Sequence, residues 1–550
     1  MNVNQPRINS LASLSPPLLL LFTLLMALLL IATHMWLRPL MPIDETRYVS
    51  VAWEMWRDNN WLVPHKNGET YAHKPPLLFW LINLFWGMFG TNELATRLAI
   101  PLFACGNFGL LYLLARQYYP REANAAGFAP LVLLALGGWS FYLPTTMFDS
   151  LLSIFVLLWC LSCVWLSRCG QKRFMLLGAI AIGGGLLAKG PVMLLYALPF
   201  MLLRPWWQHS QAIRHRRFFS LSLMAMLLGV GILACWLLPA IVSGGAAYEN
   251  ELLWKQTTGR VVSAFAHARP WYWYLYWLPV LLLPLPLMGG VWRSRIFQGN
   301  SHQDKALLLY IGIIVLCFSL ISGKQLHYLC PLMPLIALFI AKKLQTAHFQ
   351  RSYPLAIASL LVMVLLLTLP LWAAQIFKNL AQPQITLWAP LLPLLMLGLS
   401  LWRFRQQQLA VMAHFLVFPI LLTSMLIAVR QPLHAAYDVS HTAQYLRQLQ
   451  DKGHQLAFWN KYDNQFQFSG RLQTPLAVLN GDKPARLLWL QQHPQTIVIY
   501  PAKNPSSALR QQAMYEQPYR GRFLLLFEAP TLLALMTPPQ ETSVFANNRK

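Results

Sequence analysis

Apolar runs long enough to cross a bilayer recur through the first ~430 residues of this chain, and no other feature constrains its fold as strongly. Inside hydrocarbon every backbone N–H and C=O needs an internal partner, so such runs fold as helices. Of the 550 residues 56% are hydrophobic and 11% charged, the balance of a polytopic α-helical membrane protein. The formal net charge of +25 raises nucleic acid as a partner. Most Lys and Arg, however, sit in short loops between apolar runs, where they act as topology determinants and face anionic head groups. No nucleic-acid partner is therefore expected. The first run, Pro16 to Leu40, is too long for a signal-peptide core and has no small-residue cleavage pattern after it, so it is expected to stay as a span.

Loop charge sets the sidedness. The stretch Leu77–Phe89 is apolar but only 13 residues long and follows Pro75-Pro76. If it lies in the interface without crossing, spans fall at about 17–40, 96–116, 125–143, 147–167, 174–188, 191–203, 218–242, 271–290, 306–322, 329–341, 353–375, 387–402 and 409–429. The basic loops at Arg116, Arg168, Arg214, Arg293, Lys342 and Arg403 then all share the side of the N-terminus, which is cytoplasmic by the positive-inside rule. About thirteen spans place the C-terminal tail on the other side.

That other face collects Asp44, Glu45, His73, Lys74, Asp149, Lys189, Arg260, Lys324, His327 and Tyr328 from distant parts of the chain. Acids and bases at one bilayer depth on many helices read as a shared cavity. Asp44-Glu45 stands at the mouth of the first span, either facing water or doing chemistry. Lys74 opens the interfacial helix beside two prolines, a position that favours anions. Lys189 stands at a break between apolar runs, and Arg260 in a long outer loop. Each cation alone also fits a snorkelling anchor. Together they suit a membrane-borne phosphate. The separated carboxylates Asp44 and Asp149 can orient a sugar, hold a metal, act as general base or pair with the cations.

From Gln431 the apolar runs shorten. Val439 to Leu449, Ala485–Gln492 and Ser506–Glu516 read as helices, and Gln455–Trp459, Leu476–Leu479, Thr496–Tyr500 and Phe523–Phe527 as strands. The chain thus divides into a membrane domain, 1–430, and a small α/β domain, 431–550, outside the membrane. The 7 cysteines all precede residue 331 and lie in or beside apolar runs. Cys160-x-x-Cys163 sits inside an expected span and reads as a packed pair.

The acidic pair after the first span, Lys74-Pro75 before a short helix and Asp149 in the second outer loop resemble the polyprenyl-phosphate-sugar glycosyltransferases of the protein O-mannosyltransferase superfamily. The strings Ala188-Lys189-Gly190, Gly259-Arg260-Val261 and Gly323-Lys324-Gln325-Leu326-His327-Tyr328 resemble the lipid A 4-amino-4-deoxy-L-arabinose transferase branch. The resemblance implies a GT-C type membrane fold in a bacterial inner membrane, with its active site facing the periplasm. It implies an undecaprenyl-phosphate-linked sugar donor and a lipid A or other outer-leaflet glycolipid acceptor. Lys74, Arg260 and Tyr328 hold the donor phosphate in this reading, with Lys189 beside them. Asp44 and Asp149 orient the reacting groups, and Glu45, Lys324 and His327 complete the site. One departure concerns metal: the aminoarabinose branch typically carries Glu before the lysine of its Lys-Pro, and this chain has His73. Glu45 with His73 is the candidate zinc pair, and a hydrogen-bonding His73 is the alternative. Rival readings are a hexosyltransferase acting on protein or lipopolysaccharide core, and a lipid-linked sugar flippase. A flippase should show polar residues through the bundle and two related halves. Neither is evident here.

Overall fold

The computed structural model describes residues 15–208, 212–255, 268–289, 300–344, 351–377, 380, 383–404 and 407–537. Helical segments overlap each of the stretches expected to span. Among the described residues eight helices are long and apolar enough to cross a membrane, and Leu77–Phe89, Asn124–Ala135, Val192–Leu202 and Leu391–Leu401 are shorter apolar helices. The first elements are α1 (Pro16–Leu37), α2 (Asp44–Arg57), α3 (Leu77–Phe89), α4 (Glu93–Tyr118), α5 (Ala123–Ala135), α6 (Gly137–Tyr142), α7 (Phe148–Cys169), α8 (Lys172–Lys189) and α9 (Val192–Leu202).

Helix α2 was not expected from the sequence, which reads there as loop. Asp44 and Glu45 occupy its first turn, where carboxylates meet the positive end of the helix dipole. A two-stranded hairpin follows, β1 (His65–Lys66) with β2 (Glu69–Thr70). Helix α3 stands as its own element and ends at Gly90, whose φ of 78° suits a residue without a side chain.

Small residues set how closely α8 approaches the helix His215–Asn250. A Cβ on Gly183 would lie 2.7 Å from Ile232, and one on Gly229 would lie 2.6 Å from Ile182. The two glycines admit each other's isoleucines, the close packing that membrane helices use where no hydrophobic drive exists between them. The N–H of Gly190 (φ 68°) bonds the Leu186 carbonyl at 2.7 Å, so α8 stops with Lys189 as its last residue.

The tail is a five-stranded mixed sheet. The strands are β3 (Gln455–Trp459), β4 (Ala477–Leu479), β5 (Thr496–Ala502), β6 (Tyr515–Tyr519) and β7 (Arg522–Glu528), in the order β4-β3-β5-β7-β6. Leu456, Phe458, Ile497, Ile499, Leu524 and Leu526 fill one face beneath the helix Ser440–Asp451. Ala457, Trp459, Val498, Leu525 and Phe527 fill the other, the period-2 alternation of a sheet covered on both sides. Ser506–Glu516 is not a single helix: the helix covers Ser507–Gln512, and Tyr515 and Glu516 begin β6. β6 lies at the sheet edge and contains Pro518, which an edge tolerates.

The tail is docked on α2 and the hairpin. Ser50 Oγ donates to the Asn464 carbonyl at 2.6 Å, and Trp53 Nε1 donates to that of Leu472 at 3.1 Å. Phe468 stacks on Trp86 with ring centroids 5.2 Å apart, and Arg471 covers Phe468 at 3.7 Å.

Candidate functional site

Four segments converge on Asp149. It lies in the first turn of α7, buried, and one of its oxygens accepts from Lys189 at the end of α8. His327 Nε2 lies 3.8 Å from its other oxygen. Lys189 Nζ also sits 4.5 Å from the centroid of the Tyr328 ring. His327 and Tyr328 belong to the 3-10 helix Leu326–Leu332, and Tyr142, at the end of α6, presents its ring edge to His327 at 5.9 Å.

Phe148 joins this group to α2 and the start of α3. Its ring meets Tyr48 edge-on at 4.8 Å and Phe79 at 5.6 Å, and Lys74 Nζ lies 5.6 Å from its centroid. Tyr48 in turn donates its hydroxyl to Asp44 Oδ1 at 3.3 Å. The charges acting on His327 are accordingly those of Asp149, Lys189, Lys74 and Asp44. Six of the candidate residues therefore share one neighbourhood: Asp44, Lys74, Asp149, Lys189, His327 and Tyr328. Arg47 also donates to Asp44, so three cations (Lys74, Lys189, Arg47) face two carboxylates, leaving room for an anion.

The adjacent acids divide their work. Asp44 is part-exposed, with a side chain 43% accessible. Glu45 is buried and receives Arg38 through both nitrogens, the Met41 N–H at 3.0 Å and the Thr146 N–H at 2.8 Å. Arg38 also donates to the Pro144 carbonyl at 2.7 Å. Glu45 thus ties the segment after α1 to the turn before α7. Burial pushes its carboxyl up, but the charge and hydrogen bonds of Arg38, with Arg97 and the Thr146 N–H, outweigh burial and hold it below the usual glutamate range.

Lys324 is likewise engaged outside the cluster. Its buried ammonium donates to the carbonyls of Ile321 at 2.5 Å and Arg269 at 3.0 Å, stitching two turns together. His73 stacks on Tyr71 and lies 3.4 Å from Glu251. The donors around Glu45 make it unsuited to a cation, and Glu45 and His73 have different partners. Among the described residues no group of three His, Cys, Asp or Glu side chains is placed to hold a metal ion. The residues present do not fit the zinc pair. Arg260 lies outside the described residues.

Sequence reading missed Tyr142, Arg47 and Tyr48. Arg47 and Tyr48 stand three and four residues after Asp44, the spacing that brings side chains together on one helix face. Their signal was hidden only because α2 itself was.

Residues 73–238, which include Lys74, Asp149 and Lys189, match the family model of dolichyl-phosphate-mannose-protein mannosyltransferase. A Pseudomonas savastanoi pv. phaseolicola protein named undecaprenyl phosphate-alpha-4-amino-4-deoxy-L-arabinose arabinosyl transferase is 30% identical over 313 residues, 55% of this chain and 56% of that one. One from Pseudomonas fluorescens, carrying the same name with the suffix 1, is 31% identical over 346 residues, 60% of this chain and 59% of that one. The matches thus span somewhat more than half the length of these curated relatives. The crystal structure of ArnT from Cupriavidus metallidurans bound to undecaprenyl phosphate superposes with a TM-score of 0.70, covering 92% of this chain and 97% of that one at 19% identity. The resemblance read from the sequence is borne out. The chain is similar to the GT-C glycosyltransferases of this superfamily and to their aminoarabinose branch, and it has their membrane fold with a C-terminal sheet domain.

Proposed function

We propose that this protein is a glycosyltransferase of the bacterial inner membrane that moves 4-amino-4-deoxy-L-arabinose from undecaprenyl phosphate to lipid A or lipopolysaccharide at the periplasmic face. The observation that carries this reading is the convergence of Asp44, Lys74, Asp149, Lys189, His327 and Tyr328 at one end of the helices, with cations in excess. The names of the relatives supply the sugar and the carrier.

The chemistry follows from charge. As the sugar leaves, the carrier phosphate gains negative charge. Lys74 meets that charge, and the Tyr328 hydroxyl adds a hydrogen bond, so both act more strongly on the transition state than on the bound donor. Asp149 holds Lys189 in place, and Asp44, fixed by Arg47 and Tyr48, faces the ammonium or hydroxyls of the sugar. A lipid A phosphate is already an anion and needs no base, whereas a hydroxyl acceptor requires one. Mass spectrometry of lipid A from cells with and without this protein tests the reading. One added aminopentose per modified phosphate is expected. An added hexose, or modification of protein instead, overturns it in favour of the hexosyltransferase.

A further inference from the structure

Glu54 Oε1 accepts from the backbone N–H of Asn67 at 2.7 Å and from Asn464 Nδ2 at 2.8 Å. One carboxylate oxygen therefore fixes the hairpin of the membrane domain beside a loop of the tail. Gln467 Nε2 reinforces the join by donating to Asn67 Oδ1 at 2.9 Å. Immediately before these two anchors stand Lys66 on the hairpin and Lys461 and Asp463 on the tail. Arg520, from the turn between β6 and β7, reaches Asp463 at 4.0 Å. The charges acting on Lys66 are those of Arg47, Asp463, Glu69 and Lys461.

The same surface leads back to the reaction site. Arg47, Ser50 and Glu54 follow one another at helical spacing along one face of α2. Glu54 and Ser50 hold the tail, and Arg47 holds Asp44. A strip of charged side chains thus runs from Asp44 out to the tail. Its acids are Asp44, taken by Arg47; Glu54, held by the Asn67 and Gly68 N–H groups and Asn464 Nδ2; Asp463, at the edge of Arg520's reach; and Glu69, opposite Lys66 in the hairpin register. Among the described residues neither Lys66 nor Lys461 has a carboxylate within 4.0 Å. Lys66 is half-buried, and burial first, then Arg47, holds its ammonium below the usual lysine range, so it favours an arriving anion.

An anionic acceptor approaching an anionic donor is repelled unless fixed cations lie on its side of the site. We propose that Lys66, Lys461 and Arg520 seat the phosphate of the acceptor glycolipid, so that membrane domain and tail together build the acceptor site next to Asp44. This rests on the function proposed above in taking a phosphorylated glycolipid as acceptor.

The test needs no turnover. The full chain in nanodiscs is titrated with bisphosphorylated lipid A, with dephosphorylated lipid A and with undecaprenyl phosphate. The parent should bind the phosphorylated lipid A more tightly than the dephosphorylated form. The triple variant Lys66→Ala, Lys461→Ala, Arg520→Ala should lose about ten-fold in that affinity, while undecaprenyl phosphate binding stays within about two-fold. Lys66→Arg with Lys461→Arg should retain phosphorylated lipid A binding. Unchanged affinity in the triple variant, equal loss for both phosphates, or a parent indifferent to the acceptor's phosphates overturns the proposal. If the parent shows phosphate-dependent binding but adds no aminopentose in cells, the sugar assignment fails and the acceptor seat stands.

Discussion

Asp149 and Lys189 lie 40 residues apart and form a buried ion pair that joins the start of α7 to the end of α8. Lys189 is the last helical residue because Gly190 terminates α8, and α8 is seated by its glycines, so the pair is set by backbone packing and not by side-chain reach alone. Removing one partner leaves the other charge buried. Lys189→Met should destabilise the protein by about 3–5 kcal/mol, and Asp149→Asn added to it should recover most of that loss without recovering transfer. Thermal unfolding in detergent beside a transfer assay checks this. A double variant as unstable as the single one would show that the pair does not carry the stability.

The two adjacent acids should separate cleanly. Glu45→Gln leaves Arg38 without its charge partner and should cost about 3 kcal/mol of stability, whereas Asp44→Asn should keep the fold and lose transfer. The pH dependence has a definite sign. Because the folded Glu45 carboxyl lies below the usual glutamate value of 4.5, its stabilisation is present above that value and is lost as pH falls through the folded value. Melting temperature against pH should therefore show an acid limb in the parent that is shallower in Glu45→Gln. Identical limbs in the two proteins count against the anchor role.

Asp44 also distinguishes the acceptors. With a phosphate acceptor, Asp44→Asn should lower the rate without altering the shape of its pH profile. With a hydroxyl acceptor, the loss should be about 10²–10⁴-fold and an acidic limb should vanish. Rate profiles at saturating acceptor decide between them, and a limb that disappears in the variant removes the phosphate acceptor.

Lys74 should matter to the donor. Lys74→Ala removes a charge-assisted contact of about 1.5–3 kcal/mol, or roughly ten- to hundred-fold in transfer at limiting undecaprenyl-phosphate donor. Kinetics at varied donor test it. Parent-like behaviour would make Lys74 an ordinary interfacial anchor. Arg260→Ala should behave in the same way.

Sidedness is open to a direct check. An alkaline phosphatase fused after Thr537 should be active, and one placed in the turn before His215 inactive. The reverse pattern would invert the topology argued from the basic loops.

The long helices were legible because hydrocarbon demands contiguous apolar residues, and that demand leaves a mark any reading of composition finds. The gathering of Asp149, Lys189, His327 and Tyr328 was legible too, since polar residues at the ends of apolar runs share one depth. Helix α2 was not, because its mixed sequence carries no bilayer signal and its buried face is made by tail residues far along the chain, such as Asn464 and Leu472. The division of labour between Asp44 and Glu45 was equally hidden. It depends on Arg38 and on the Thr146 N–H 101 residues away, which no local pattern reveals. Lys324 looked like a site residue by position, yet its ammonium donates to nearby carbonyls. Strand β6 escaped because Pro518 weakens the period-2 signal.

The bridging oxygen of Glu54 has a consequence in time. Its two donors, Asn67 and Asn464, leave the ribosome far apart: Asn464 follows Glu54 by 410 residues, on the order of 20–80 s of synthesis. During that interval the helix bearing Asp44 is already made but lacks the loop that later clamps it. A chain stopped before Asn464 thus lacks this part of the tail's hold on α2, a hold that can form only late in synthesis.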